Sequence, residues 1–523
     1  MSRVLGAALR GVDGIPVEVE VRISSQLPRI DIVGLPEAAV RESAARVRAA
    51  IASIGRPFPT RRITVNLAPA GLRKGGAGLD LPIAVGILAA AGTLEGSALN
   101  GLALVGELAL DGRLRPVRGA LALTLAAREA GCRSIVVPTV NGAEAGLTPG
   151  IEVRTAGDLG GVLAHLLRVK PLPVATPDFR PQPSQAPDLA DVRGQDFARR
   201  ALEVCAAGGH AILLRGAPGS GKTMLARRLP SLLPPLDFDE ALEVTRIHGA
   251  AGRVPAGDPI VTERPFRAPH HTASSAGLLG GGNPPMPGEV SLAHHGVLFL
   301  DELPEFDRRS LEALRQVVES RRVVVARARI SCEFPAHFQF IGAANPCPCG
   351  WQASGVRDCR CDDGAVARYG ARISGPLLDR IDLHVTVRPV AWCDLDGPGE
   401  GECSSVVRER VTRARTLQKK RGAGAGYRTN SEIPDAALDA ALQATPEARA
   451  ILGRAVERCA LSARAARRVL HAAQPSRRRS SSSYRRMNSR PRSSMSRASK
   501  RATRFESSSI RSAALATTSA FRR

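Results

Sequence analysis

"HAILLRGAPGSGKTMLARRL", His210 to Leu229, sets a short apolar run (Ala211–Leu214) against Gly216-x4-Gly221-Lys222-Thr223, and an amphipathic run follows. Read as strand, loop and helix, the residues Gly216, Ala217, Pro218, Gly219, Ser220, Gly221, Lys222 and Thr223 can wrap a polyphosphate. Glycines let backbone N–H groups turn inward, Lys222 neutralises charge, and the Thr223 hydroxyl can hold Mg²⁺. A Gly-rich turn could match by chance; the flanking strand and helix make it a nucleotide site. A strand delivering such a loop into a helix belongs to an α/β fold.

Two further apolar runs supply the other wall. "GVLFLDELPEF" (Gly296–Phe306) ends in Asp301-Glu302. Asp301 would position Mg²⁺, and Glu302 would orient or polarise the attacking water. "FQFIGAAN" (Phe338–Asn345) ends in an amide that, at the carboxyl edge of a sheet, reaches the γ-phosphate and the water. In "SGPLLDRIDLHV" (Ser374–Val385), Arg380 stands between Asp379 and Asp382, and spacing alone favours a local salt bridge to one of them.

Outward from this core the chain divides. Residues 1–169 read as a first α/β domain. "VEVEVRIS" (Val17–Ser24) and "RITVNLAP" (Arg62–Pro69) alternate as strands, and "PEAAVRESAARVRAAIASIG" (Pro36–Gly55) is spaced as one amphipathic helix with Pro36 at its start. Residues 170–188, with six prolines, predict a stiff linker. Residues 189–395 alternate strand and helix. Residues 396–475 become helical, most clearly from Ser431, and 476–523 turn into Arg/Ser text without periodicity, expected to be disordered.

Composition narrows the class. The net charge is +24, of which the last 48 residues hold +13, so the body is moderately basic. That favours polyanion binding without demonstrating it. The longest apolar run, Leu81–Gly92, is too short to span a bilayer, and "MSRVLGAALRGVDG" has no signal-peptide core. A cytoplasmic protein is expected, in which clustered cysteines point to metal rather than disulfides. Cys347-x-Cys349 and Cys359-x-Cys361 fit a structural Zn²⁺ site, although the spacing is tighter than the usual pair of C-x2-C knuckles. The pairs His270-His271 and His294-His295 are not read as metal ligands, because neighbouring side chains splay apart on a strand.

With these motifs in one order, together with "DIVGLPEAAVRESAARVRAAI", "GLRKGGAGLDLPIA" and "NPCPCG", the sequence resembles the YifB/ComM family of magnesium-chelatase-like AAA+ ATPases. The resemblance covers Met1 to about Leu470. It implies ATP and Mg²⁺ as cofactors, Gly216–Thr223 as Walker A, Asp301 and Glu302 as Walker B, and Asn345 as sensor 1. Arg380 would be an arginine finger acting on a neighbouring subunit, and Arg464 the sensor-2 arginine of a helical lid. It also implies a homo-hexameric ring that binds DNA without sequence preference and drives branch migration in natural transformation.

The first domain resembles the Lon protease fold. The Ser-Lys dyad is missing: Gly75–Leu79 stands where the Ser would fall, and Arg118–Leu125 offers no Lys. Arg321, Arg322, Arg327 and Arg329, within "SRRVVVARARISCEF" (Ser320–Phe334), would line a hairpin that grips DNA phosphates, or else form a solvated basic face. Two other functions compete: a magnesium-chelatase motor subunit, and a ring whose ATPase only gates assembly. After Leu470 the resemblance ends. The tail reads as a basic arm that tethers DNA or, preferred here, as the product of a frameshift near His471, which would leave the lid incomplete.

Overall fold

The computed structural model describes residues 1–472 except 73, 177–178, 180–183, 255–259, 328–329, 397–400, 443 and 460. The tail and both of its readings lie outside the described residues. Within the first 169 residues, β1 Ser2–Arg10, β2 Asp13–Ser24, β3 Ile30–Val33, β4 Arg62–Ala68, β5 Leu102–Leu104, β6 Ser134–Pro138 and β7 Glu152–Ala156 form a mixed sheet ordered β3-β4-β2-β1-β5-β6-β7. The alternation of β2 puts Val17, Val19 and Val21 on one face, beside Ile63, Val65 and Leu67 of the antiparallel β4. Helices α1 Ser43–Ser53 and α2 Asp80–Ala90 cover that face, and α3 Ala120–Glu129 covers the other. The long apolar run is α2, buried through most of its length.

Two expectations change here. The single helix over Pro36–Gly55 breaks at Glu42, into a turn at Ala38–Arg41 and then α1. Ser43 donates to the buried Asp80 carboxylate and Arg46 pairs with it at 2.7 Å, so a tertiary anchor sets where α1 begins. Pro36 bridges to Lys74 instead of starting a helix. The proline-rich stretch is not wholly free either. The Ala175 amide bonds the Val153 carbonyl at 2.8 Å, which lays its first residues along β7, and Phe179 stacks edge-on against Phe238.

The second unit is a five-stranded sheet: β8 Ile212–Arg215, β9 Phe266–Arg267, β10 Val297–Leu300, β13 Gln339–Ala344 and β14 Leu383–Thr386, ordered β9-β10-β13-β8-β14. Every pairing is parallel. β10 and β13 are buried along their whole length, as strands covered on both faces must be. Between them in sequence, β11 Arg322–Arg327 and β12 Ile330–Pro335 form a separate antiparallel hairpin. Helices of the unit include α4 Asp196–Gly208, α5 Lys222–Ala226, α6 Phe238–Ala250, α7 Arg308–Ser320 and α8 Gly375–Leu378. The C-terminal helices are α9 Ser404–Arg421, α10 Pro446–Cys459 and α11 Ala463–Ala472, so helix begins well before Ser431. Val407, Val411 and Ala414 of α9 pack with Leu202 and Cys205 of α4.

The two units share an apolar cluster. Leu121 and Leu147 of the first meet Leu236, Ala241, Val244 and Ile260 of the second. No helix among the described residues is long and apolar enough to cross a membrane.

Candidate functional site

In a parallel sheet the loops that follow the strands gather at the carboxyl edge. Here the strand order puts the end of β13 between those of β8 and β10. Asn345 therefore lies between the phosphate loop and Asp301. The Thr223 hydroxyl donates to Asp301 Oδ2 at 2.6 Å, and Lys222 Nζ donates to Asn345 Oδ1 at 3.0 Å. The same ammonium donates to the carbonyls of Gly216 and Ala217, at 2.8 and 3.0 Å. Burial lowers the Lys222 pKa, while Asp301 and Glu302 act to raise it. Gly219 and Gly221 take positive φ (72° and 91°), a conformation that glycine adopts without a Cβ penalty and a phosphate-wrapping loop requires.

Glu302 follows Asp301 in the left-handed region (φ 51°), a turn that takes its carboxylate out of line with the strand. Its amide donates to Asp301 Oδ1 at 2.9 Å, and its Oε2 lies 3.3 Å from His271 Nδ1. Sequence reading missed His271. Its signal is topological, since the segment after β9 must reach the carboxyl edge beside β10.

Arg380 goes elsewhere. Spacing favoured Asp379 or Asp382, but the guanidinium donates to Glu319, at the end of α7, at 2.7 and 3.2 Å. Asp382 faces His210 Nδ1 at 3.0 Å, and Asp379 takes Arg468 at 3.0 Å. Arg380 immediately precedes β14, so it stands at the amino edge of the sheet, with the length of a strand between it and its own phosphate loop. Arg464 shares that edge, 3.9 Å from Asp379. These two arginines are therefore not brought to Lys222, Asp301, Glu302 and Asn345.

The cysteines do converge. Cys347, Cys349 and Cys359 sulfurs are 3.4–3.7 Å apart, and Cys361 lies within the same 4.8 Å group. Four sulfurs about 2.3 Å from a tetrahedral Zn²⁺ would sit ~3.8 Å from one another, so the set fits that ion. The backbone N–H groups of Arg360 and Trp351 hold the Cys349 thiol down to about 6, while desolvation and the neighbouring sulfurs push the Cys359 and Cys361 thiols up, so without an ion the group favours one thiolate. The clasp also touches the phosphate loop: a Cβ placed on Gly350 would fall 2.6 Å from Pro218.

The histidine pairs do not splay. His295 has φ 53°, and the His294 and His295 rings lie 4.1 Å apart with both Nε2 atoms on Glu243, at 2.8 and 2.9 Å. His294 Nδ1 accepts the His337 amide at 3.0 Å, so the neutral ring carries its proton on Nε2 and donates it to Glu243. A protonated nitrogen cannot ligate a metal. The group is a hydrogen-bonded joint between α6, β10 and β13.

The basic hairpin is partly neutralised. Arg321 pairs with Glu432 at 3.2 Å and Arg322 with the cross-strand Glu333 at 2.8 Å. The side chain of Arg327 and all of Arg329 lie outside the described residues.

A Gly-rich loop, an Asp-Glu pair and an amide converging on one parallel-sheet edge are the arrangement of a P-loop α/β domain. Residues 188–395 match the family described as magnesium chelatase, subunit ChlI; residues 19–141 match subunit ChlI of Mg-chelatase, and 401–475 its C-terminal region. The chain is 44% identical to an uncharacterized protein of Mycobacterium tuberculosis over 476 residues, 90% of this chain and 94% of that one. It is 44% identical to the uncharacterized protein YifB of Escherichia coli (80% and 83% covered), and 40% identical to the competence protein ComM of Haemophilus influenzae (89% and 91%). The chain belongs to the YifB/ComM family of magnesium-chelatase-like proteins.

Proposed function

We propose that the chain is an AAA+ ATPase motor that works as a homo-hexameric ring and remodels DNA in branch migration, as a helicase does. One observation carries the ATPase reading: Thr223, Asp301, Lys222 and Asn345 are joined by hydrogen bonds at one edge of the sheet. Lys222 and the loop amides bind the phosphates, and Asn345 and Glu302 orient the attacking water. Thr223 and Asp301 would hold Mg²⁺, which supplies charge neutralisation at the phosphates when bound.

Arg380 supports the ring: it stands at the amino edge, away from its own chain's phosphate loop, as an arginine finger for a neighbour's nucleotide would, with Arg464 as the sensor-2 arginine of the lid. The first domain is Lon-like without protease chemistry, the C-terminal helices form the lid, the cysteines hold structural Zn²⁺, and the protein is cytoplasmic. The family resemblance and the net charge of +24 support the DNA reading.

ATP hydrolysis measured with and without forked or four-way DNA tests the function, and acceleration by DNA is expected. A DNA-independent ATPase would favour the second reading, an ATP-gated assembly protein, to which the carboxylates on Arg321 and Arg322 lend weight.

A further inference from the structure

The β1–β2 turn of the first domain, Gly11-Val12, turns its one apolar side chain away from solvent. Val12 at its tip is 1% exposed and belongs to the apolar cluster of the second unit, with Val323, Val325, Cys332 and Phe334 of the hairpin. On either side of it, Arg10 Nη2 donates to the Ser331 carbonyl at 3.4 Å and Asp13 pairs with Arg246 of α6 at 3.2 Å. An apolar residue at the tip of a two-residue turn is costly unless another surface covers it. The hairpin has the converse need. It is a two-stranded sheet separate from the five-stranded one, and such a pair is marginal without a packed face. Its buried face is the one Val12 meets, while Val324 on the other face is 63% exposed.

From this we infer that the first domain is the mount of the basic hairpin: turn and hairpin base move as one body through the nucleotide cycle. β1 and β2 pair from Ser2↔Val21 to Arg10↔Asp13, so the turn is the end of a rigid lever and cannot shift without its sheet. A load on the hairpin, or a partner seated on the first domain, is thereby transmitted to the other. This gives the domain a mechanical task in place of proteolysis, and it rests on the motor reading only for the identity of the load.

The turn supplies its own test. A Cβ on Gly11 would lie 3.3 Å from Cys332 Cβ, just inside the separation a disulfide takes, and 3.1 Å from the Phe334 ring, so a small outward shift of the turn both relieves the ring and brings the pair to bonding distance. The φ of +66° at Gly11 costs a cysteine only about 1–2 kcal/mol. The full-length Gly11→Cys protein is oxidised without nucleotide, with ADP and with a slowly hydrolysed ATP analogue, and the bond is mapped by peptide mass. The introduced thiol should bond to Cys332 to within about twofold in all three states, with ATPase activity within about twofold of the oxidised parent. Bonding confined to one state, or a loss of about tenfold or more that reductant reverses, overturns the mount.

Should that variant not fold, hydrogen exchange on Val12→Asp decides. Amides of residues 330–334 should exchange at least about tenfold faster than in the parent while those of 339–344 stay protected; unchanged exchange at 330–334 overturns it. The response of the parent ATPase to DNA is scored separately. The motor reading can thus fail while the cross-link still decides the mount.

Discussion

Lys222 and Glu302 face one site from opposite walls and should fail in different ways. On the proposed ATPase reading, Lys222→Ala loses phosphate neutralisation, so nucleotide affinity should fall, measured with a fluorescent ATP analogue. On the same reading, Glu302→Gln keeps the loop intact and loses the carboxylate proposed to polarise the water. Binding should persist while kcat drops by about 100-fold or more. Hydrolysis by Glu302→Gln at the parent rate would remove that residue from its role. Asp301 and Asn345 were legible as sequence because each ends a short apolar run and a parallel sheet gathers such ends, and Lys222 because it closes the Gly-rich loop. Arg380 was legible as a residue and not as a contact. Its Glu319 partner lies 61 positions away, and no local spacing encodes such a pairing.

Among the elements, α6, β10 and β13 are joined by a group that should make the fold acid-sensitive. His294 is pushed down to about 4, chiefly by burial, and the hydrogen bonds from His294 and His295 hold the Glu243 carboxyl below its usual range. On acidification the unfolded histidine gains its proton near pH 6.5, whereas the folded one resists until about 4. Stability should therefore fall across that window, by about 2 kcal/mol between pH 7 and 5 from His294 alone. Glu243 adds to the loss only below the ordinary carboxyl range. Thermal melts at pH 7 and 5 should diverge less in His294→Asn than in the parent. Equal divergence would assign the sensitivity to other groups. This joint escaped the sequence because the left-handed His295 cancels the splay that a strand would impose. The cysteine clasp was legible from its spacing, and about one equivalent of zinc should co-purify and vanish in Cys347→Ser/Cys361→Ser. Elemental analysis finding none in protein kept from chelators would leave the thiols without an ion.

For the whole molecule, the decisive geometry is the edge of the sheet on which each charge stands. Arg380→Ala should assemble and hydrolyse poorly, and mixing it with Lys222→Ala should restore part of the activity, because each variant spares what the other lacks. Failure at every mixing ratio would leave Arg380 as a structural partner of Glu319. The sheets and the two α/β units could be foreseen from alternation and from the phosphate loop. The seam between the units could not, since Leu121 and Val244 read separately as ordinary helix-core positions and only their packing joins them.

Gly350, pressed against Pro218, bears on inheritance as well as on shape. A Gly350→Ala allele carries two defects, a Cβ crowding the phosphate loop and a side chain held at φ +83°. Only the first depends on Pro218, so Pro218→Ala should act as an intragenic suppressor that recovers part of the lost nucleotide affinity and never all of it. Positions 218 and 350, distant in the gene, should then surface together in a screen for second-site revertants. Revertants that fall elsewhere throughout would mean that the two loops are inherited as independent parts.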